Sequence, residues 1–404
     1  MTQRPPLEVA DLVRTHGSAV REAYGCSPDQ GRVLRDLAQC RTAALGGHVD
    51  ECERCGERRI SYNSCRNRHC PKCQGSQAAE WVDAQNAHLL PVPYVHVVFT
   101  LPRILSPLAL QNPRLVYGLL FRAASRTLLD VAADERHLGA RIGVLAVLHT
   151  WGQTLAHHPH LHCVVPAGGL SLDGARWVAC RSNFFLPVRV LSSLFRGRFL
   201  ALLDKAFADG RLAFHGALRP FADAPAFARL LRQARALDWV VYAKPPFGGP
   251  EQVLKYLARY THRVAISNRR LLDIDDGVVS FRYKDYARGN RWRTQRLDAV
   301  EFLRRFLLHV LPSGFVRIRR YGLLANARRE MNLACCRALL NTEQPRDQDA
   351  LDEHAGDAQP MDVPERETPG ARCPVCGDGR MRPVKVVLPA RYSPSLFPSR
   401  LQPP

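Results

Sequence analysis

The chain contains no run of about 18 apolar residues, the length needed to cross a bilayer. Its opening stretch, MTQRPPLEVADLVRTHG, has no apolar core of the kind an export signal carries. These absences argue against a membrane span and a secreted product, and a cytoplasmic protein with no membrane partner is expected. No Gly-rich lysine loop of the Walker type occurs, so no nucleotide cofactor is expected. Acidic residues are scarce: 37 Asp and Glu stand against 57 Lys and Arg, for a net charge of +20. Such an excess attracts polyphosphate and gains from counterion release, which makes nucleic acid the first partner to expect.

At 404 residues the chain exceeds what one hydrophobic core usually holds, so two or three domains are expected. With 46% hydrophobic and 23% charged residues it is globular rather than disordered. The first forty residues carry helical periodicity in Val9, Leu12, Val13, Val33, Leu34 and Leu37, broken at GCSPDQG. A cysteine-rich block follows, from Cys40 to Cys73. Beyond it PYVHVVFTLP is strand-like and LVYGLLFRAASRTLLDVAADE helical, while ARIGVLAVLHTWGQ and HLHCVVPAGGL read as two strands joined by a short loop. Residues 187–236 are mostly helical. DWVVYAKPPF, RVAISNRRLLDI, GVVSFRYKDY and RWRTQRLD have strand character, and AVEFLRRFLLHVL is a helix. This order predicts an α+β fold with an antiparallel-rich sheet rather than a doubly wound parallel one. The expected divisions are a helical, zinc-binding domain over residues 1–90, a sheet domain over 91–340, an acidic flexible linker over 341–370, and a tail over 371–404 that carries CPVC.

Thirteen cysteines in a chain without an export signal, concentrated in CxxC pairs, point to metal rather than disulfides. Cys52-x2-Cys55 and Cys70-x2-Cys73 supply four thiolates, the set expected of a structural zinc site. Cys40, His48, Cys65 and His69 are further candidate ligands, so a second zinc or another choice of four stays open. Cys373 and Cys376 form half of a site, for which Cys335 and Cys336 in NLACCRALL are candidate partners. Arg66 and Arg68, between the pairs, would suit phosphate contact.

HTWGQTLAHHPHLHCVV holds a different donor set. In a strand, residues two apart face the same way, so His160 and His162 point together while Leu161 and Cys163 face the other side. A third ligand is missing; Gln153, brought across by a short hairpin, is the expected one, while His149 and the loop pair His157 and His158 could also serve. Two imidazoles plus an oxygen leave open positions on the ion, as a catalytic site requires. In LKYLARYTHRVAISN, Tyr256 and Tyr260 stand four apart and share one face of a helix. Their spacing alone suits packing; beside a metal with open positions, a tyrosine hydroxyl can attack a phosphodiester.

HPHLHCVVPAGGL resembles the motif of two histidines flanking one hydrophobic residue in HUH endonucleases, and YLARYTHRVAISN resembles the paired-tyrosine motif of rolling-circle transposases of the insertion-sequence-ninety-one family. CRTAALGGHVDECERCG and NSCRNRHCPKCQ resemble that family's zinc-binding domain, and FRYKDYARGNR and YGLLAN match its pattern too. The resemblance implies an HUH-type catalytic domain over 91–340, His160 and His162 as ligands of Mg²⁺ or Mn²⁺, structural Zn²⁺, and Tyr256 and Tyr260 as nucleophiles. It also implies single-stranded DNA at element ends as substrate, cut to a 3′-hydroxyl with the 5′ end held on tyrosine. Where relatives carry histidine before the tyrosine of RYGLLAN this chain has Arg320, so no metal role moves there.

Arg259, His262, Arg263, Lys284 and Arg288 are the expected DNA contacts, since basic groups track a backbone while Tyr283, Tyr286 and Trp292 among them can stack unpaired bases. Two other functions fit the same letters. One is a replication initiator or relaxase of the same chemistry; the other is a non-catalytic, zinc-dependent DNA-binding regulator in which the histidines are structural and the tyrosines pack.

Overall fold

Ser27 opens the second helix with a capping box: its hydroxyl accepts from the Gln30 amide while the Gln30 side chain accepts from the Ser27 amide. That is why GCSPDQG breaks the helical run, separating α1 (Val9–Tyr24) from α2 (Pro28–Gln39). The computed structural model describes residues 7–73, 81, 84–85, 88–247, 265–285, 289–343 and 371–390. A hairpin of β1 (Gly47–Cys52) and β2 (Arg58–Tyr62) follows α2.

The principal sheet has the order β13-β5-β6-β3-β9, with every pairing antiparallel: β3 (Tyr94–Thr100), β5 (Gly143–Trp151), β6 (His157–Pro166), β9 (Val241–Phe247) and β13 (Ile318–Gly322). One face buries Val95, Val97, Phe99, Ala146, Leu148, Leu161, Cys163 and Val165 against α3 (Ser106–Gln111), α4 (Pro113–Ala133), α5 (Val188–Ala208) and α6 (Ala224–Ala236). Alternate residues of each strand face the other way. Short strands β4 (Ala140–Arg141), just before β5, and β7 (Gly168–Ser171) and β8 (Trp177–Ala179), just after β6, form a small sheet of their own. Gly322 ends β13 at φ 61°, where a Cβ would collide with the Ile142 carbonyl, which is why RYGLLAN turns on a glycine.

A second unit joins β10 (Leu271–Asp275), β11 (Val278–Asp285) and β12 (Arg291–Asp298) to α7 (Ala299–Leu307). Asp298 caps α7 by accepting from the amides of Val300 and Glu301. Phe302, Leu303 and Phe306 are buried, and Phe302 meets Phe281 edge-on at 5.6 Å. Each such side chain stabilises by roughly 1.5–3 kcal/mol. Helices α1 and α2 have no core of their own: Leu12, Val20, Leu34 and Leu37 share one with α7, β11 and Leu155 of the β5–β6 turn.

Helix α8 (Arg329–Glu343) continues past residue 341, and 344–370, the rest of the expected linker, lies outside the described residues. The tail contributes β14 (Met381–Val387), which pairs with β1 and completes a three-stranded sheet with β2. The fold is thus α+β with antiparallel sheets, as the order of elements predicts. Among the described residues, no helix is long and apolar enough to cross a membrane.

Candidate active site

Strand register decides which imidazoles meet. His149 lies opposite His160, and Val147 opposite His162. Residues directly opposite in an antiparallel pair share a face, and His160 shares it with His162 by the two-residue period. One ring nitrogen from each of His149, His160 and His162 lies within 4.8 Å of the others. The trio occupies the face opposite the large helical core, because Leu161 and Cys163 point into that core.

Hydrogen bonds orient the rings. His160 Nδ1 donates to the His158 carbonyl at 2.7 Å, which leaves Nε2 with its lone pair. His162 Nδ1 lies 2.8 Å from Nε2 of the buried His96 on β3, a contact that fixes the orientation of the His162 ring. His149 stacks on Trp151 at 4.4 Å between centroids. Burial pushes His160 down to about 4, and burial together with His149, His160 and His96 pushes His162 well below the ordinary imidazole value. Both rings are therefore neutral near pH 7, the form that binds metal.

Gln153 stands in the turn between β5 and β6, beyond the paired residues, and its backbone carbonyl accepts from the Arg270 guanidinium. Register instead sets His149, itself a candidate ligand by sequence, as the nitrogen beside the HxH pair. His157 turns away from the trio, toward Ser106 and Tyr117. Arg320 donates to the Gln85 side chain.

Tyr256, Tyr260, Arg259, His262, Arg263 and Arg288 lie outside the described residues. The flanks of the tyrosine segment are placed. Val98 lies opposite both Tyr242 and His162, and β9 runs on to Phe247 opposite Tyr94. Ala265 and Ile266 are fully buried in the cluster that holds Leu155 of the β5–β6 turn. The two described flanks of the tyrosine interval are therefore Phe247, at the end of β9, and Ala265, beside the turn that follows His149.

The cysteines sort differently from the expected set. Cys40, Cys65, Cys70 and Cys73 form one group; Cys52, Cys55, Cys373 and Cys376 form another. The single site of Cys52, Cys55, Cys70 and Cys73 is corrected to two half-sites with different partners. The cause is the hairpin: Cys52 and Cys55 sit at the tip of β1–β2, which β14 draws to the tail, while Cys70 and Cys73 fold back on Cys40 at the end of α2. In the first group, sulfur–sulfur separations are 3.5 Å for Cys40–Cys73 and Cys40–Cys70 and 3.7 Å for Cys65–Cys73. Four sulfurs at about 2.3 Å from a tetrahedral zinc lie about 3.8 Å apart, so this group fits the ion. Hydrogen bonds among the four sulfurs push Cys73 below the usual thiol value and Cys65 and Cys70 above it.

His69 is outside this group; it is buried, and its Nε2 accepts from the Leu311 amide at 3.4 Å. His48 pairs with Asp50 on β1. Cys335 and Cys336 do not join Cys373: Cys336 is buried on α8 beside Leu333 and Leu340. Arg68, a candidate phosphate contact, donates instead to the carbonyls of Leu311, Pro312 and Phe315 at 3.3, 3.2 and 2.9 Å, tying the cysteine loop to the segment after α7.

Lys284 lies opposite Trp292 on the face of β11–β12 away from α7, and the Arg282 guanidinium sits over the Trp292 ring at 5.7 Å. Trp292 is 40% exposed, so this basic and aromatic face is available to a nucleic acid. Arg270 is not: it is buried between the Gln153 and Arg282 carbonyls.

Sequence reasoning missed a further histidine pair, whose members lie 152 positions apart in the chain, His157 and His309. Their rings stack at 6.4 Å, and His309 bridges Thr150 Oγ1 and the Leu155 carbonyl at 3.1 Å each. Burial pushes His157 to about 3 and His309 to about 4. An unfolded imidazole titrates near ~6.5, so below that pH the unfolded chain takes up protons that the folded one refuses. The contribution of the neutral pair is therefore complete above about pH 6.5 and is lost as pH falls toward the folded values. Urea midpoints should fall from pH 7 to pH 5, at up to about 1.4 kcal/mol per pH unit for each histidine, and His309→Gln should flatten that slope. A slope identical in the variant contradicts this account.

Residues 143–331 match a family model described as "Putative transposase", and residues 12–101 match the transposase zinc-binding domain. A protein of Sinorhizobium fredii named "Putative transposase y4qJ" is 54% identical over 382 residues, covering 94% of this chain and 95% of its own. The transposase for insertion sequence element IS801 of Pseudomonas savastanoi pv. phaseolicola is 30% identical over 311 residues, covering 76% of this chain and 72% of its own. No solved structure matches. All four residues of the first cysteine group fall within the zinc-binding match, and all three clustered histidines within the other. By these relatives the chain belongs to the insertion-sequence-ninety-one family of transposases, those with an N-terminal zinc-binding domain.

Proposed function

We propose that this transposase nicks and rejoins single-stranded DNA at the ends of its element, in rolling-circle transposition, with Tyr256 and Tyr260 as nucleophiles. The observation that carries the proposal is the trio His149, His160 and His162, three imidazoles converging on one sheet face, with His160 and His162 held neutral. A divalent ion bound there would polarise the scissile phosphodiester and stabilise the charge of the transition state. Mn²⁺ suits three imidazoles better than Mg²⁺, which prefers oxygen ligands.

A tyrosine oxygen forms the new bond to phosphorus while the bond to the 3′ oxygen breaks. The phenol's proton is lost to solvent, and the departing 3′ oxygen leaves as a hydroxyl. The phosphotyrosine conserves the bond energy, so rejoining consumes no nucleotide. The second tyrosine can then receive a second strand while the first holds its own. Placement of the segment's flanks, at the sheet edge beyond the histidines and at their turn, supports this pairing of nucleophile with metal. Lys284, Arg282 and Trp292 offer the backbone-tracking and stacking groups that an unpaired strand needs. Kinship with proteins named as transposases favours element ends over a replication origin as the site of action.

The test is a covalent adduct. Incubated with labelled single-stranded DNA from the flanks of its coding region and Mn²⁺, the protein should form a species that survives denaturation, more of it than with Mg²⁺. The Tyr256→Phe, Tyr260→Phe double variant should form none. An adduct that persists in the double variant would refute the tyrosine mechanism; none from the wild type with either metal would leave the non-catalytic regulator.

A further inference from the structure

We propose that a second zinc ion is held by Cys52 and Cys55 from the β1–β2 turn together with Cys373 and Cys376 from the C-terminal segment, making one zinc ribbon from the two ends of the chain. The site lies partly outside both family matches, since residues 373 and 376 follow the last matched residue, 331. All four sulfurs lie within 4.8 Å of one another. Cys52–Cys376 and Cys55–Cys373 are each separated by 3.7 Å. That is close to the edge of a tetrahedral zinc–thiolate site, about 3.8 Å, and far from a disulfide at about 2.05 Å.

The two CxxC turns are built alike, as ligand turns facing one ion should be. The Cys52 amide donates to the Glu57 carbonyl at 2.9 Å and the Cys373 amide to the Gly379 carbonyl at 2.7 Å. Inside each loop a glycine at positive φ, Gly56 at 71° and Gly377 at 74°, donates back to the first cysteine's carbonyl at 3.0 and 2.9 Å. Backbone amides also point at sulfur: Arg54 at Cys52 Sγ and Gly379 at Cys376 Sγ, both at 3.4 Å. Such donors stabilise thiolate, the ligating form. A Cβ on Gly379 would collide with the Cys52 sulfur, so the tail approaches this closely only with glycine there. Arg54–Asp378 and Arg382–Glu53 pair across the two turns, and β14 runs alongside β1 from Gly47↔Val387 to Cys52↔Met381. Cys55 and Cys373 are 318 residues apart, so the ion would clasp the entire catalytic region as a loop.

Metal content of the full-length chain tests this. The Cys373→Ser, Cys376→Ser double variant should lose one zinc equivalent relative to wild type, as should Cys52→Ser, Cys55→Ser, while Cys335→Ser, Cys336→Ser should lose none. Should the serine variants fail to fold, cadmium-113 resonance of the cadmium-substituted wild type decides. Two all-sulfur signals, separate from any imidazole-bound ion, are expected. Unchanged zinc in the folded Cys373/Cys376 variant, or a single all-sulfur signal from wild type, overturns the proposal.

Discussion

His162→Ala is expected to slow single-strand cleavage by about a thousandfold. A bound divalent ion supplies several kcal/mol of transition-state stabilisation, and about 4 kcal/mol corresponds to three powers of ten in rate. His162 is the member of the trio with the firmest support: its Nδ1 is held by His96 at 2.8 Å, and it lies on the central strand of the sheet, paired on both sides. The loss should appear in the rate of the chemical step measured in single turnover with Mn²⁺, with DNA affinity little changed. His149→Ala should fall by a comparable factor, because register sets its ring beside the pair. Gln153→Ala is the discriminating companion, with an expected loss below about tenfold. If Gln153→Ala proves as damaging as His162→Ala while His149→Ala stays near wild type, the third ligand is the glutamine and the three-imidazole site is wrong.

The contrast between His149 and Gln153 marks where local sequence stops informing. The pair in HLHCVV is readable because side chains alternate along a strand, so two histidines flanking a leucine must share a face. Choosing between His149 and Gln153 needs the offset of one strand against the next. That offset depends on an irregularity between His149 and Trp151 and on the geometry of the turn, neither of which a residue pattern specifies. The order of helices and strands is legible for the same local reason, down to the break at the Ser27 capping box.

Long-range partners are the other blind spot. CxxC spacing announces zinc ligands, but proximity in sequence joins Cys52 and Cys55 to the wrong pair, Cys70 and Cys73. The partners that β14 brings to the hairpin come from more than 300 positions away. Cations mislead similarly: Arg68 and Arg270 resemble DNA contacts in composition, yet each is bonded to backbone carbonyls inside the fold. Nothing in the charge pattern separates a buried guanidinium that satisfies carbonyls from one that meets phosphate, because both need the same donor fork.

The first cysteine group should prove essential to folding itself, and Cys40→Ser is the sharpest probe of it. Cys40 is wholly buried at the end of α2, and Cys40, Cys70 and Cys73 belong to the same apolar cluster as Leu12, Leu37, Phe281 and Phe302. Apparent binding energies of structural zinc run to about 10–16 kcal/mol in small peptides, and a whole domain is stable by only about 5–15 kcal/mol. Losing one ligand need remove only part of that binding energy to unfold the cluster. The variant is therefore expected to lose a zinc equivalent and either precipitate or melt at least about 10 °C lower, at roughly 2–4 °C per kcal/mol for a domain of this size. Cleavage should fail with it, although Cys40 belongs to neither the histidine trio nor the tyrosine segment. The same cluster holds Leu155 of the histidine turn and Ala265, five residues after Tyr260, so its loss frees both parts at once. Cys335→Ser, on the exposed side of α8, provides the control and should melt with wild type. A Cys40→Ser protein that keeps its zinc and melts within about 2 °C of wild type would mean that the cluster stands on apolar packing alone. The catalytic elements would then not depend on the metal for their placement.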